Sequence, residues 1–249
     1  DIAFFDAIGF GTVVDSLSAI KTLVFEQKRL SMKELLEALD CNFEGKEDIQ
    51  ALLQGAPSFG NGDLEVDTLG RMLEKSALDF TARYAGKNGV QPLEIRTTSV
   101  TANVPHGKFV GATPNGRKAW MPLSDGSSPS HGSDRNGPTA VLLSQYQSTN
   151  WNAANRACRL LNMKMAPKTV EGEEGTKKLV DLIRAFINLR VWHLQMNIIN
   201  RETLVAAQKD PQKYKNLVVR IAGYSAYFVD LSPDLQNDLI DRTEQENCD

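Results

Sequence analysis

The order of patterns along the 249 residues predicts an α/β fold. Helical periodicity fills the first third of the chain, and short strand-like runs then alternate with amphipathic helices. Two of those runs carry the prediction. Residues 93–104 are rich in Thr and Val, and residues 191–199 alternate strictly between apolar and polar.

Over residues 13–28, Val14, Leu17, Ile20, Val24 and Phe25 recur at helical spacing. Ser31-Met32-Lys33-Glu34 has the capping-box pattern, in which Ser and Glu satisfy each other's backbone N–H groups, and so opens a helix over 32–40. Residues 46–54 form a third helix, and the Gly- and Pro-bearing 57–63 break the pattern as a loop. Val66, Leu69, Leu73, Ala77, Phe80 and Tyr84 mark a long helix ending near Gly86. In the 93–104 strand, alternation places Arg96, Thr98 and Val100 on one face and Ile95, Thr97 and Ser99 on the other. Asn115-Gly116 is a turn signal. Residues 124–137 form a polar loop dense in Gly, Ser and Pro, of a length more often functional than idle. Pro138 suits the first turn of a helix running to Gln147. Residues 160–165 form a short buried strand stopped by Pro167, and Leu179, Leu182, Ile183 and Phe186 stripe the next helix. Across 191–199, Trp192, Leu194, Met196 and Ile198 face one way. His193, Gln195 and Asn197 face the other, toward solvent or the interior of a barrel or cleft. Asn200 caps a helix over 201–209, a strand over 217–221 runs into Gly223, and Ser232-Pro233 opens a last helix.

With 41% hydrophobic residues and a net charge of −3, the chain can bury a sizeable core. No basic stripe interleaved with aromatics points to nucleic acid, and no apolar run is long enough to cross a bilayer. Cys41, Cys158 and Cys248 are too scattered for a disulfide framework or a zinc site, so a reducing cytoplasm is the simplest setting. Cys158, among apolar residues, reads as a small core side chain. His106, His131 and His193 have no metal-ligand spacing, and no metal site is expected.

Gly223 admits two readings. It can be a position that needs positive φ or close backbone approach. Alternatively its Cα–H bond is the reactive group, because a Cα without a side chain can flatten to a planar radical shared between the flanking amide nitrogen and carbonyl.

Arg220-Ile221-Ala222-Gly223-Tyr224 resembles the radical-site motif of the glycyl radical enzymes, the family of pyruvate formate-lyase and its relatives. Further landmarks stand in the family's order: Ala19-Ile20-Lys21-Thr22-Leu23-Val24-Phe25, Phe59-Gly60-Asn61, Ala112-Thr113-Pro114-Asn115-Gly116-Arg117, Gly137-Pro138-Thr139-Ala140, and Leu231-Ser232-Pro233-Asp234-Leu235-Gln236 with Arg242-Thr243. The resemblance implies the C-terminal part of a ten-stranded α/β barrel, with residues 1–200 in the barrel and its surrounding helices and 201–249 as the glycyl radical domain. It implies no permanently bound cofactor. Instead, a radical on Gly223 would be installed by an activating enzyme that uses S-adenosylmethionine and an iron–sulfur cluster, then passed to a cysteine that attacks substrate. That cysteine belongs to a Cys-x-Glu motif which none of the three cysteines matches, so the remainder of a longer polypeptide is the expected partner. A homodimer in the cytoplasm, in some relatives within a bacterial microcompartment, belongs to the same expectation.

The strand over 93–104 resembles a barrel strand that faces the family's buried pocket, which implies that Arg96, as a permanent charge there, reads a small anionic substrate. Val100, two residues along that face, would set the pocket's size. Pairing of Arg96 with Glu94 or Asp125 is the structural alternative. Trp151-Asn152-Ala153-Ala154-Asn155-Arg156 and Trp192-His193-Leu194-Gln195-Met196-Asn197 resemble the sulfonate-cleaving branch, whose reaction converts isethionate to acetaldehyde and sulfite. The alternatives are another eliminase or decarboxylase of the family, acting on dihydroxypropanesulfonate, a diol, hydroxyproline, choline or an arylacetate, and a non-catalytic spare part that restores the radical of a damaged lyase.

Overall fold

The computed structural model describes residues 3–84 and 93–246. The predicted helix end near Gly86 and Cys248 lie outside the described residues. Strand β1 (Ala3–Asp6) leads into helix α1 (Phe10–Ala19), which widens without a break into a π-helical turn over Ile20–Glu26. The widening is set by Gln27 N–H donating to Thr22 O at 2.8 Å and Arg29 N–H to Leu23 O at 2.9 Å, both beyond α-helical reach. Helix α2 (Met32–Asp40) begins at the predicted capping box, with Glu34 N–H donating to Ser31 Oγ at 3.2 Å and Ser31 N–H to Glu34 Oε2 at 2.9 Å. Helix α3 (Glu47–Gln54) follows, and Leu23, Leu35, Phe43 and Leu53 close a core among these elements. The long helix α4 (Leu64–Tyr84) packs on α1, with Phe10, Val14, Phe59 and Val66 buried between them.

Strand β2 (Leu93–Thr97) is shorter than predicted. Beyond it the chain turns and makes one helical turn, α5 (Asn103–Gly107), instead of continuing extended to Val104. Local hydrogen bonds end the ladder: Ser99 Oγ accepts from Gly126 N–H at 2.6 Å, and Ala102 N–H donates to Ser99 O at 2.7 Å. Thr and Val therefore gave a strand propensity that tertiary contacts overrode. Val100 sits in the turn at φ 53°, a rare conformation for a β-branched residue, and does not continue the face of Arg96 along a strand.

Helix α6 (Gly137–Gln147) has Pro138 in its first turn. Strands β3 (Arg156–Arg159) and β4 (Leu161–Met165) follow, separated by one residue, then helix α7 (Gly172–Asn188) and strand β5 (Leu194–Ile198). Helix α8 (Arg201–Lys209) starts at the predicted Asn200 cap, whose Oδ1 accepts from Thr203 N–H at 2.9 Å. The hairpin of β6 (Val218–Arg220) and β7 (Ser225–Tyr227) precedes helix α9 (Pro233–Asp241), capped by Ser232, and the short β8 (Glu244–Gln245). Strands β1, β2 and β3 pair parallel in that order, while β4 pairs parallel with β5 on one side and β8 on the other. Parallel neighbours need long crossovers, and the intervening helices supply them. Helices α6 and α7 cover one face of β4 and β5, where Val141, Leu142, Leu161, Met163, Met165 and Leu182 form a core. Residues 124–137 and the C-terminal segment occupy the other face. That segment has an apolar core of its own, with Leu204, Val219, Ile221, Phe228, Leu239 and Ile240 buried among α8, the hairpin and α9.

Burial pushes the carboxyls of Asp15 and Asp67 up to about 7 and that of Asp134 up to about 6. Each then keeps its proton in the folded chain where the unfolded chain, at about 3.8, has released it. Their stabilising contribution is complete below about pH 4 and is lost as pH rises toward 7. Asp15→Asn, which retains an acceptor for Phe59 N–H (2.7 Å from Asp15 Oδ1), should flatten part of that decline. Urea midpoints of the two proteins, compared from pH 4.5 to 7.5, should diverge in favour of the Asn variant by up to about 1.4 kcal/mol per pH unit. A difference that does not vary with pH would show that Asp15 is ionised throughout.

Candidate functional site

Gly223 lies in the turn of the β6–β7 hairpin, closed by Ile221 N–H donating to Tyr224 O at 2.9 Å. Its φ is +84°, and a Cβ built there would meet nothing within 4 Å. Conformation asks for glycine here, whereas close backbone approach does not. The residue is exposed in this chain, as are Tyr224 and Tyr227 beside it.

The polar face of β5 holds this turn. Gln195 Oε1 accepts from Gly223 N–H at 2.6 Å. Asn197 clips the backbone of Arg220 from both sides, its Nδ2 donating to Arg220 O at 2.7 Å and its Oδ1 accepting from Arg220 N–H at 2.8 Å. Behind Gln195, its Nε2 donates to Asn162 Oδ1 at 2.9 Å, and Asn162 Nδ2 donates in turn to Asp125 Oδ2. Arg242 Nη2 lies 3.8 Å from the same carboxylate oxygen and 3.0 Å from Asp238 Oδ2, while its Nη1 donates to Ile221 O at 3.4 Å. Gln195, Asn162, Asp125, Asp238 and Arg242 are all buried. The segment after α9 is tied down as well: Asp134 accepts from Thr243 Oγ1 and from Gln245 Nε2, and Lys164 Nζ donates to Ile240 O at 2.9 Å. Burial pushes that lysine down to about 8.

Residues 124–129 and Asp134 pack in the interior in spite of the segment's polar composition, while Gly132, Arg135 and Asn136 stay exposed. Ser127 donates to Leu160 O through both N–H (2.8 Å) and Oγ (3.0 Å), and Asn162 N–H donates to Ser128 Oγ at 3.0 Å. Each hydroxyl is satisfied locally, so burial costs little. The same segment, together with α5 and α9, borders a cavity of about 630 Å³ lined by Lys108, Arg117, Trp120, His131 and Asp234 among others.

Arg96 pairs with neither Glu94 nor Asp125. Its Nε and Nη2 donate to the two carboxylate oxygens of Asp6 at 2.6 and 3.0 Å, and its guanidinium stacks 3.3 Å above the ring of Phe4. It lies on the face opposite Thr97, whose register partner Arg159 is buried against α6 through Thr149 Oγ1 (2.6 Å) and Ser148 Oγ (3.1 Å). Val100, 43% exposed, is in the turn beyond the end of β2. Cys158 is exposed and is not a core side chain. The register shift between β2 and β3 gives the buried position to Arg159 and turns Cys158 out. His131, without a partner by sequence, sits 3.6 Å from Asp238 Oδ1.

Gln195, Asn197, Asn162, Asp125 and Arg242 were not singled out as site residues from sequence. The clue lay in β5, where a wholly polar face on a strand beside a glycine hairpin has to be satisfied by something.

Among the described residues no group of three or more His, Cys, Asp or Glu is placed to hold a metal ion, and no helix is long and apolar enough to cross a membrane. An exposed glycine turn gripped from beneath by a buried polar network fits a residue whose backbone is the working group. The family model described as "Glycine radical" matches residues 123–229, and that described as "Pyruvate formate lyase-like" matches residues 1–107. The chain belongs to the glycyl radical enzymes of the pyruvate formate-lyase-like family. It is 58% identical to the isethionate sulfite-lyase of Oleidesulfovibrio alaskensis over 99% of this chain and 30% of that protein. Against the isethionate sulfite-lyase of Nitratidesulfovibrio vulgaris it is 60% identical over 98% of this chain and 29% of that one. The crystal structure of hydroxyproline dehydratase from Clostridioides difficile, with trans-4-hydroxy-L-proline bound, superposes with a TM-score of 0.91 at 38% identity, covering 98% of this chain and 31% of the other. The chain thus spans about 30% of the length of the curated relatives it matches. The α/β architecture is that of the family's barrel.

Proposed function

We propose that this chain is the radical-storing portion of a carbon–sulfur lyase that converts isethionate to acetaldehyde and sulfite. The observation that carries the reading is the gap in identity: 58–60% to two isethionate sulfite-lyases against 38% to a dehydratase of the same fold. In this reading an activating enzyme carrying S-adenosylmethionine and an iron–sulfur cluster removes a hydrogen atom from Gly223 Cα. A cysteine in the remainder of the polypeptide receives the radical and takes hydrogen from the hydroxyl-bearing carbon of isethionate. The neighbouring C–S bond then breaks heterolytically, sulfite leaving with the bonding pair and taking up the hydroxyl proton, and return of the hydrogen atom to the remaining carbon radical yields acetaldehyde. Residues 1–200 belong to the barrel and 201–249 to the radical domain, a division supported by the separate apolar core of α8, the hairpin and α9. A homodimer in the cytoplasm or in a bacterial microcompartment completes the reading.

In this reading Arg96 binds the sulfonate, whereas Val100, turned off that strand face at φ 53°, no longer has the position from which a role in pocket size was expected. The pair with Asp6 engages Nε and Nη2 and leaves Nη1 for an oxyanion. Arg96→Ala should lower kcat/KM for isethionate on the order of 100-fold, the worth of a charge-assisted hydrogen bond, with the glycyl signal intact. Unchanged kinetics would remove Arg96 from the site.

The reading is tested by anaerobic activation of the full-length polypeptide, followed by electron paramagnetic resonance and a panel of isethionate, dihydroxypropanesulfonate, propanediol and hydroxyproline. A glycine doublet with acetaldehyde and sulfite formed from isethionate alone is the expected result. A doublet with turnover of another substrate would reassign the reaction, and no doublet would remove the catalytic reading altogether.

A further inference from the structure

The polar network beneath Gly223 has a direction. Asp125 is buried, its Oδ2 accepts from Asn162 Nδ2 and from Ser128 Oγ (3.3 Å), and the Arg242 guanidinium stands 3.8 Å away as its counter-ion. A carboxylate so placed can only accept. Asn162 must therefore give it the amide NH₂, which turns Asn162 Oδ1 toward Gln195. Gln195 must answer with its own NH₂, at 2.9 Å, and that leaves Oε1 as the only group it can present to Gly223 N–H, at 2.6 Å. Two side-chain amides that could each be flipped by half a turn are thus oriented by one charge at the far end of the line. The line also closes on itself: Arg242, beside Asp125, donates to the carbonyl of Ile221, two residues before the glycine.

We propose that Asp125, Asn162 and Gln195 form a polarity relay that presents a hydrogen-bond acceptor to the Gly223 amide and so positions Gly223 for radical formation. The radical half of this statement rests on the proposed function. When the hydrogen atom leaves Cα for the activating enzyme, the unpaired electron is shared with the amide nitrogen. An acceptor on that N–H raises the electron density the nitrogen can lend. Gln195 and its two supporters are positioning residues, since none of them exchanges an atom with Gly223.

The first test needs no radical. In the full chain labelled with ¹⁵N-glycine, hydrogen exchange at Gly223 N–H is compared among four proteins. Gln195→Met, which keeps length and removes the acceptor, should speed exchange at least tenfold. Asp125→Asn should also speed it, because the charge that orders the line is gone. The double variant Asp125→Asn with Asn162→Asp moves the carboxylate one step nearer, still accepting from Gln195 Nε2, and should return exchange toward the wild-type rate. Wild-type exchange in Gln195→Met, or a double variant no slower than Asp125→Asn, would overturn the relay. If Gln195→Met also loses protection in α6 and α7, the Asp125 pair of variants alone decides.

The second test uses the activated full-length enzyme and the amide-proton coupling of the glycyl signal. The coupling should change in Gln195→Met and Asp125→Asn and recover in the double variant. A coupling identical in all four would overturn the positioning role. A wild-type enzyme with no doublet would sink the proposed function and the radical half of this inference, with amide exchange left to judge the relay.

Discussion

Gly223→Ala should give a folded protein that holds no radical. The added methyl meets nothing within 4 Å, so the cost of the substitution is confined to the backbone. Alanine at φ +84° is strained by about 1–2 kcal/mol, a loss of a few degrees in Tm for a chain of this size. The turn hydrogen bond from Ile221 N–H to Tyr224 O and the grip of Gln195 on the amide need no change. The chemical effect is far larger, because the methyl prevents the Cα from flattening freely into conjugation with both amides. After anaerobic activation of the full-length polypeptide, the variant should show no glycine doublet and turnover should fall by at least about three orders of magnitude. Air should cleave the activated wild-type chain at residue 223 and leave the variant whole. A doublet retained in the variant would place the radical elsewhere.

Arg242→Ala should produce the largest loss of stability among the single changes considered. Arg242 is 7% exposed and stands between the buried carboxylates of Asp238, at 3.0 Å, and Asp125, at 3.8 Å. Truncation leaves two buried acids without their counter-ion, and breaking such a pair from one side costs about 3–5 kcal/mol. It also removes the donor to Ile221 O, so the damage is directed at the hairpin that carries Gly223. The expected result is a lower denaturant midpoint together with early proteolysis over residues 217–246. Arg242→Lys should recover part of the midpoint only, because a single ammonium replaces a planar fork that serves Ile221 and Asp238 through different nitrogens. A midpoint shift below about 1 kcal/mol for the Ala variant would mean that the two acids relax into water. Cleavage elsewhere at an unchanged rate in 217–246 would separate the arginine from the hairpin.

Local chemistry was legible wherever a residue's role depended on its sequence neighbours. The capping box at Ser31 and Glu34, the Asn200 and Ser232 caps and the stop at Pro167 stand where the sequence placed them. Alternation in β5 correctly separated Gln195 and Asn197 from Leu194 and Met196, although not what the polar side would hold. Roles that depended on distant parts of the chain were harder to read. The strand predicted to reach Val104 ends at Thr97, because Ser99 is recruited by Gly126, which propensity cannot anticipate. Cys158 was expected inside and lies outside, since a one-residue shift between paired strands exchanges it with Arg159. The acid that meets Arg96 is Asp6, ninety positions away on the neighbouring strand.

By itself, the sequence determined the α/β class, the order of most elements, the family to which the motifs belong and the glycine at its centre. Those properties are carried by short-range patterns and by residue identities that survive without coordinates. Only the tertiary structure decided what Gly223 rests on. Its amide is held by Gln195 from 28 positions earlier in the chain, through Asn162 and finally Asp125, and the carbonyl two residues before it by Arg242. The physical reason is that a buried polar atom must find a partner. Which partner it finds depends on which strand, loop and helix the fold brings within 3 Å, and no spacing in the sequence records that.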